Sequence, residues 1–558
     1  MSSKLLVIGL DGGTFDLLLP LVKQGIMPHF GRFLQAGSWG RLASTVPPFT
    51  AVAWSSFATG KNPGKHGVLS FERSEKFHYH EKIVGFNDAR RLERPLWDIL
   101  SEAGKRVAVI NVPLSYPPRP VNGLMITGMM TPATAREFTF PPAFAEQLAG
   151  YRIDVDFVRE GDSFRRYGLP PKEEMLADIQ AVTRQRTAVC QRLLEQEAWD
   201  FFMVVYTGTD RISHFFWDDL EPLWGERPFA NPPSSNFSKL LDYFQQLDND
   251  IAQLVKQAGP EAHLLFMSDH GFGTAPTKRF AVNLWLEQQQ LLTAQVPNRI
   301  GGLAYWRMKI GRSAVLKQLA RRFIPQQAQD RLAQKATEAA GGSDIAWAKS
   351  QAYFVPVYFN VCGIELNQVG QHREGVVAPG PAYEAVRDKI IAAAGKLVDP
   401  ETGEPIVELV ARREDLFEGP FVEQFPDIIL VLKPEYVGGQ SLAASQLIEP
   451  HVPFRSGEHR PDGIFAAVGP KIHQLADLPD LHLMDVSATA LYLLDVPVPD
   501  DFDGRILEEA IDPAHWHRYP AQYQEGQVKA ASGTVESMYS KDEEAEIIER
   551  LRSLGYME

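Results

Sequence analysis

Asp269 and His270 are adjacent residues whose side chains can both bind a metal ion. They follow the apolar segment 263–267 and precede a Gly-Phe-Gly turn. A short, continuously apolar segment is typical of a strand that is covered on both faces, as in a parallel sheet. Open α/β sheets place their chemistry just beyond the carboxyl ends of such strands. The pair is therefore a candidate metal site, although a single Asp-His pair can also simply cap a loop.

The same pattern occurs at two other places in the chain. Asp11 directly follows the apolar segment 4–10, and Asp210 and His214 follow the apolar segment 201–206. On a helix, a spacing of four residues places two side chains on one face, about one turn apart. This spacing suits two ligands of one metal ion. A chance Asp-x-x-x-His is common, so the position beyond a strand is what favours the metal-binding interpretation.

A hydroxyl and a further imidazole complete the candidate set. Thr50 follows two prolines and begins a helix-like segment that ends at Gly60. It could be a nucleophile whose phosphate target rests on the free N–H groups of the helix, or it could only cap that helix. In the segment 456–469, His459 lies in a predicted polar loop before another apolar strand, and it would supply a ligand that the other segments lack.

Together these residues provide three carboxylates, three imidazoles and one hydroxyl. Carboxylate oxygen combined with imidazole nitrogen suits Zn²⁺, and less typically Mn²⁺. Seven groups are enough for two cations that each keep an open position. Two-metal sites of this kind hold the attacking and leaving oxygens of a phosphoryl displacement. The candidate residues are Asp11, Thr50, Asp210, His214, Asp269, His270 and His459.

The elements that must position these residues indicate an α/β fold. Apolar segments that read as buried strands alternate with helical segments along most of the chain. Residues 291–344 differ, because they are rich in Lys and Arg and read as a basic helical insertion. We interpret this insertion as a solvated cap, with a lid over an anionic substrate or a peripheral membrane contact through 299–335 as alternatives. Residues 511–558 are predicted to be a C-terminal extension that carries a charged surface helix.

Composition limits the class of protein. The 558 residues carry a net charge of −14, which argues against general binding of nucleic-acid polymers but allows a small anionic substrate at a metal site. The two cysteines are far apart and suggest neither a disulfide framework nor a cysteine zinc site. The N-terminus lacks a signal-peptide pattern, and no segment is long and apolar enough to span a membrane. We therefore expect a cytoplasmic protein; the sequence does not indicate its oligomeric state.

Five motifs in this order resemble the alkaline phosphatase superfamily, and within it the type I phosphodiesterase/nucleotide pyrophosphatase family. The resemblance implies an alkaline-phosphatase-like three-layer α/β/α sandwich with a mostly parallel central sheet and a helical cap insertion. Residues 1–290 and 345–510 would together form the catalytic core. The motifs are GLDGG, PPFTAVAWSSFATGKNPGKHG, TDRISH, SDHGFG and GEHRPDG, and the ending RLRSLGY adds to them.

The resemblance also implies roles for individual residues. One metal ion would be bound by Asp210, His214 and His459. The other would be bound by Asp11, Asp269 and His270, together with Thr50 as the nucleophile. Attack by Thr50 would form a phospho-threonine intermediate that water then hydrolyses.

The substrate contacts depart from the family pattern. The resemblance implies an Asn three residues after the nucleophile, in contact with a phosphate oxygen, but this chain has Ala53 there, so the choice between diester and monoester stays open. The backbone of Ala51 and the side chains of Lys278 and Arg279 are the candidates for that contact.

Three functions therefore follow from the sequence. The first is a two-zinc hydrolase of phosphodiester or phosphoanhydride bonds. The second is a phosphomonoesterase or phosphomutase of the same superfamily. The third is a binding or membrane-associated protein with a vestigial site.

Overall fold

A computed structural model describes most of the chain. The described residues are 3–79, 82–88, 93–157, 169–224, 235–295, 345–526 and 538–556. Most of the predicted basic insertion, including the proposed membrane contact at 299–335, lies outside these residues.

Twenty-two short strands occur among the described residues. In chain order they are β1 (Lys4–Leu10), β2 (Ser38–Ala43), β3 (Glu72–Glu75), β4 (Lys82–Phe86), β5 (Val107–Ile110), β6 (Gly123–Ile126), β7 (Thr139–Phe140), β8 (Phe201–Tyr206), β9 (Ala262–Met267), β10 (Gly271–Thr274), β11 (Lys278–Ala281), β12 (Ala352–Tyr358), β13 (Val361–Leu366), β14 (Val407–Arg412), β15 (Ile428–Leu432), β16 (Tyr436–Gly439), β17 (Ile448–Pro450), β18 (Gly457–Arg460), β19 (Asp462–Val468), β20 (Leu481–His482), β21 (Val498–Pro499) and β22 (Tyr523–Gln524).

The α-helices of the described residues lie mainly between these strands. In chain order they are α1 (Phe15–Lys23), α2 (Pro28–Ala36), α3 (Thr50–Thr59), α4 (Pro63–His66), α5 (Leu96–Glu102), α6 (Lys172–Gln196), α7 (Gly208–Phe216), α8 (Ser235–Ala258), α9 (Val282–Gln288), α10 (Pro381–Ala394), α11 (Arg413–Leu416), α12 (Asp485–Leu493), α13 (Pro513–Arg518) and α14 (Lys541–Ser553).

One nine-stranded sheet organises the molecule. Its strand order is β20-β2-β19-β9-β1-β8-β5-β6-β7. The five strands from β9 to β6 are parallel, whereas β19 and β7 join as antiparallel neighbours. β1 is the central strand of the nine, between β8 and β9. These three strands are the apolar segments that precede the candidate residues in the sequence.

The sheet is covered on both faces, which explains its continuously apolar strands. Along β1, Leu6 and Ile8 pack into one hydrophobic core, and Leu5 and Val7 pack into another. The first core includes apolar residues of α1, α2, α6 and α8, and the second includes those of α3, α5 and α12. The result is a three-layer α/β/α arrangement around a mostly parallel sheet, as the sequence predicts.

A third hydrophobic core lies in residues 280–448. It is built on the four-stranded sheet β12-β13-β15-β14 and includes residues of α9 and α10. Cys190 and Cys362 belong to different cores, and both are buried and unpaired. Burial raises the pKa of each thiol to about 12, so neither is a reactive thiolate near neutral pH.

The C-terminal helix α14 is more buried than the predicted surface helix. Ile547, Leu551 and the following Leu554 belong to the first hydrophobic core, and Arg550 donates a hydrogen bond to the carbonyl of Thr131. These apolar residues recur at helical spacing among many charged residues, and the helix therefore buries one face. In the part of the chain that the structure describes, no helix is both long enough and apolar enough to cross a membrane.

His66 gives the fold a specific sensitivity to acid. The imidazole is buried beside α3, where its Nδ1 accepts the N–H of Val68 and its Nε2 therefore donates to Ser56 Oγ, 2.9 Å away. Burial lowers the pKa of His66 to about 3. Because the folded pKa is below the unfolded value near 6.5, the unfolded chain binds the extra proton. Stability from the neutral form is complete above pH 6.5 and is lost as the pH falls toward 3.

We expect His66 to remove roughly 2 kcal/mol from the free energy of unfolding between pH 7.5 and pH 5. Denaturant unfolding at the two pH values measures this loss. The His66→Gln variant should be less stable at pH 7.5 but should lose correspondingly less on acidification. The matched control is His473→Gln, at an exposed position, which should keep the wild-type pH dependence. An equal pH dependence in wild type and His66→Gln would contradict the assignment.

Candidate functional site

The carboxyl ends of β1, β8 and β9 carry the candidate ligands to one edge of the sheet. Asp11 directly follows β1, Asp210 lies in the first turn of α7 after β8, and Asp269 and His270 follow β9. Because these strands are adjacent and parallel, their ends meet. His214 lies one turn along α7 from Asp210, with its Nε2 3.4 Å from Asp210 Oδ1.

His459 reaches the same edge on a strand, not in the polar loop that the sequence suggests. β18 pairs with β10 in an antiparallel ribbon, which places His459 opposite Phe272. β10 begins directly after His270, so the ribbon brings the two imidazoles together. Their rings stack with centroids 3.5 Å apart. The glycines that suggest a loop form this ribbon, and that pairing is a long-range feature.

The first cluster consists of Asp210, His214 and His459. Asp210 Oδ1 lies 3.4 and 3.5 Å from the two Nε2 atoms, which are only 3.0 Å from each other. All three side chains are buried. The three ligand atoms therefore face a common point.

The second cluster consists of Asp11, Asp269 and His270. His270 Nε2 is 3.2 Å from Asp269 Oδ2 and 3.9 Å from Asp11 Oδ1. The hydroxyl of Thr50 lies 3.3 Å from the same Nε2. The structure thus brings together all seven residues, as two groups of three with Thr50 beside the second group.

The Nδ1 contacts of the three histidines leave their Nε2 atoms unprotonated. The Nδ1 atom of His214 lies 3.1 Å from the carbonyl oxygen of Gly457. The Nδ1 atom of His459 lies 2.9 Å from the carbonyl oxygen of Pro48, and that of His270 lies 3.2 Å from the carbonyl oxygen of Gly271. A carbonyl only accepts, so each Nδ1 carries the proton and each Nε2 does not. This arrangement of a ligating imidazole and a backbone carbonyl is typical of metal sites.

The carboxylates also indicate bound cations. Among the described residues, Asp11 Oδ1, Asp210 Oδ1 and Asp269 Oδ2 are buried oxygens with no hydrogen-bond partner. Burial and then the neighbouring carboxylates raise the pKa of Asp11, and burial raises the pKa of Asp269 to about 8. Burial lowers the pKa of His459 to about 3. Cations would neutralise the crowded acids and use the imidazole lone pairs, so the residues fit two metal ions.

Helix α3 presents Thr50 to this edge. Thr50 is the first residue of α3, after the extended Phe49, and it is fully buried. The amides of Val52 and Ala53 bond to the carbonyl of Phe49. The amides of Thr50 and Ala51 belong to the first turn of α3. The N–H groups of a first turn have no acceptor within their helix, and they favour a bound anion. Ala53 packs into the second hydrophobic core, so its side chain serves the fold.

Lys278 and Arg279, the predicted phosphate contacts, have other partners. Both lie on β11, in a separate three-stranded sheet with β16 and β17. Lys278 pairs with Asp399, and Arg279 bonds to His451 at 3.0 Å. Within the described ranges neither side chain forms a hydrogen bond or ion pair with the seven site residues.

Several residues that contact the candidate ligands were not predicted from the sequence. Arg211 contacts Asp210 and, at 2.7 Å, Asp154. Trp54 Nε1 donates to Asp11 Oδ2 at 3.3 Å, and Arg455 NH1 lies 3.1 Å from His214 Nε2. Tyr556 donates to Asp210 Oδ2 at 3.1 Å. Arg211 and Trp54 lie inside the motifs TDRISH and PPFTAVAWSSFATGKNPGKHG, and Tyr556 lies in the ending RLRSLGY. Arg455 lies two residues before the motif GEHRPDG.

The fold and the site define a class of enzyme. The protein has a three-layer α/β/α fold around a mostly parallel central sheet, with its candidate ligands at the carboxyl edge of that sheet. Residues 5–443 match the family described as type I phosphodiesterase/nucleotide pyrophosphatase, and the chain belongs to that family. It is therefore a phosphodiesterase/nucleotide pyrophosphatase-type hydrolase. The family is metal-dependent, and the described part of the chain contains two candidate metal-binding groups.

Solved structures of low sequence identity are also similar. Human ectonucleotide pyrophosphatase/phosphodiesterase 5 is 12% identical, with a TM-score of 0.47 and coverage of 91% of this chain and 100% of that chain. The murine protein is 12% identical, with a TM-score of 0.48 and coverage of 91% of this chain and 100% of that chain. Phosphonoacetate hydrolase from Sinorhizobium meliloti is 16% identical, with a TM-score of 0.48 and coverage of 89% and 96%. No curated protein matches the chain.

Proposed function

We propose that the protein cleaves phosphodiester or phosphoanhydride bonds of small anionic substrates through a phospho-threonine intermediate at a two-zinc site. The observation that carries this proposal is the position of the Thr50 hydroxyl, 3.3 Å from His270 Nε2 beside two buried groups of ligands. The hydroxyl is buried beside three carboxylates that each have an oxygen without a hydrogen-bond partner among the described residues. It fits a nucleophile activated by a cation.

The ligand set supports zinc. Asp210, His214 and His459 would hold one ion, and Asp11, Asp269 and His270 the other, with Thr50 adjacent. Mixed nitrogen and oxygen ligands suit Zn²⁺, and three ligands from the protein leave a position open for substrate. When bound, the two ions lower the pKa of the Thr50 hydroxyl and neutralise charge on the phosphoryl group.

The protein residues then have defined tasks. Thr50 Oγ1 attacks phosphorus, which forms the Thr50–phosphorus bond and breaks the bond to the leaving oxygen. The first-turn amide of Ala51 donates to a phosphoryl oxygen at the positive end of α3. Water then hydrolyses the phospho-threonine and restores the hydroxyl. The three carbonyls on the Nδ1 atoms hold the imidazoles in one tautomer throughout this cycle.

We expect the zinc-loaded protein to hydrolyse bis-p-nitrophenyl phosphate at least about ten times faster than p-nitrophenyl phosphate. The reason is that Lys278 and Arg279, the predicted phosphate contacts among the described residues, are paired elsewhere and so do not neutralise the second charge of a monoester. Initial rates at equal substrate concentrations give the ratio, and the manganese-loaded protein shows whether it depends on the metal. Faster monoester hydrolysis would instead support a phosphomonoesterase or phosphomutase.

A further inference from the structure

The C-terminal end of the chain reaches into the first ligand cluster. Tyr556 lies three residues beyond α14 and more than three hundred residues from Asp210. Its ring packs against His214, with centroids 5.8 Å apart, and against Phe49, at 5.9 Å. Its hydroxyl donates to Asp210 Oδ2 at 3.1 Å and accepts from Arg211 NH1 at 2.8 Å.

The two oxygens of Asp210 have separate environments. Oδ2 accepts hydrogen bonds from Tyr556 and from Arg211. Oδ1 has no hydrogen-bond partner among the described residues and faces His214 Nε2 and His459 Nε2. The bonds on Oδ2 thus fix the rotation of the carboxylate, and Oδ1 is the atom directed at the cluster.

The backbone holds Tyr556 firmly in this place. The N–H of Tyr556 bonds to the carbonyl of Leu551, which ends α14 in a tight turn. Gly555 has φ of +78°, and a Cβ there would lie 2.9 Å from Arg455. Arg455 donates to the carbonyl of Leu554 at 2.8 Å and forms an ion pair with Glu458. The turn therefore favours glycine and is joined to the strand that carries His459.

We infer that Tyr556 is a positioning residue for the first metal site, so that the last turn of the chain completes that site. Tyr556 orients Asp210 as a ligand, and Arg455 joins the turn of Tyr556 to the His459 strand. Partners that hold a ligand in this way contribute strongly to metal affinity. The inference rests on the proposed function, because it requires Asp210 to be a metal ligand.

Zinc affinity of the full-length protein tests the inference, with competition against a chromogenic chelator as the readout. In Tyr556→Phe the ring contacts remain but the hydroxyl is lost. We expect the affinity of one of the two sites to fall roughly 10- to 100-fold, with the other unchanged. His214→Ala identifies the affected site, because it removes a ligand of the first cluster. The matched control is Tyr539→Phe, which removes a hydroxyl that donates to the carbonyl of Met130 in the same C-terminal segment.

The outcomes separate the two proposals. Two unchanged affinities in Tyr556→Phe would overturn the inference and leave the proposed function intact. An equal loss in Tyr539→Phe would overturn it as well, because the effect would then come from loosening of the C-terminal segment. A wild-type protein that binds no zinc would overturn the proposed function and the inference with it. Thermal unfolding of both zinc-free variants shows whether each is folded.

Discussion

Replacement of Thr50 by alanine is expected to lower kcat for bis-p-nitrophenyl phosphate by about 10³-fold or more. The variant loses the only hydroxyl proposed to attack phosphorus, whereas the six other site residues remain. Zinc content should stay at two ions, because Asp11, Asp269 and His270 still form a complete three-residue group. Steady-state rates and metal analysis of the same preparation measure both effects.

Two controls define the role of the hydroxyl. Thr50→Ser keeps an oxygen nucleophile and should retain a substantial part of kcat. Thr59→Ala makes the same chemical change in the same helix, where the hydroxyl only bonds to the carbonyl of Ser55 at 2.8 Å, and should leave kcat near the wild-type value. A Thr50→Ala variant with undiminished turnover would show that Thr50 is not the nucleophile.

Asp269→Asn is expected to have opposite effects on stability and activity. The Gly12 amide donates to Asp269 Oδ1 at 3.1 Å, and an asparagine oxygen can accept the same bond. The amide nitrogen would replace the unmatched Oδ2, 3.2 Å from the unprotonated Nε2 of His270, and could donate to it. At pH 9, above the pKa of about 8 that burial gives Asp269, one buried unpaired carboxylate would become a satisfied amide. We expect the zinc-free variant to gain about 1–3 kcal/mol in the free energy of unfolding.

The same substitution removes a ligand of the second cluster. Zinc content should fall from two ions to one, and kcat by about 100-fold or more. The control is Asp248→Asn, where both oxygens accept backbone amides, from Phe30 at 2.8 Å and His29 at 2.9 Å. The side-chain amide nitrogen of an asparagine at 248 would face one of these backbone N–H groups, and both would be donors, so stability should fall. Denaturant unfolding of the zinc-free proteins compares the two variants. A loss of stability in Asp269→Asn would contradict the assignment of Asp269 as a metal ligand.

The parts of the site that lie next to strands could be predicted from the sequence. Asp11, Asp210 and Asp269 each follow an apolar strand, and parallel strands place their carboxyl ends together. The short Asp210 to His214 spacing is a local property of α7. These relations depend only on neighbouring residues and on the general geometry of parallel sheets.

Long-range pairings account for what the sequence did not predict. His459 reaches His270 only because β18 pairs with β10, and glycines that read as a loop form that ribbon. Tyr556 reaches Asp210 because the apolar face of α14 packs into the first hydrophobic core. The many charged residues of α14 make that face hard to recognise in the sequence. Lys278 follows the SDHGFG motif closely in sequence, yet β11 carries it into another sheet and toward Asp399.

Trapping of the intermediate on Thr50 tests the central claim most directly. Zinc-loaded protein would be mixed with excess bis-p-nitrophenyl phosphate, quenched in acid, digested and analysed by mass spectrometry. We expect a phosphoryl or p-nitrophenylphosphoryl adduct on the peptide that contains Thr50, absent from Thr50→Ala. Turnover by the wild type with no adduct on that peptide, together with turnover by Thr50→Ala, would contradict it.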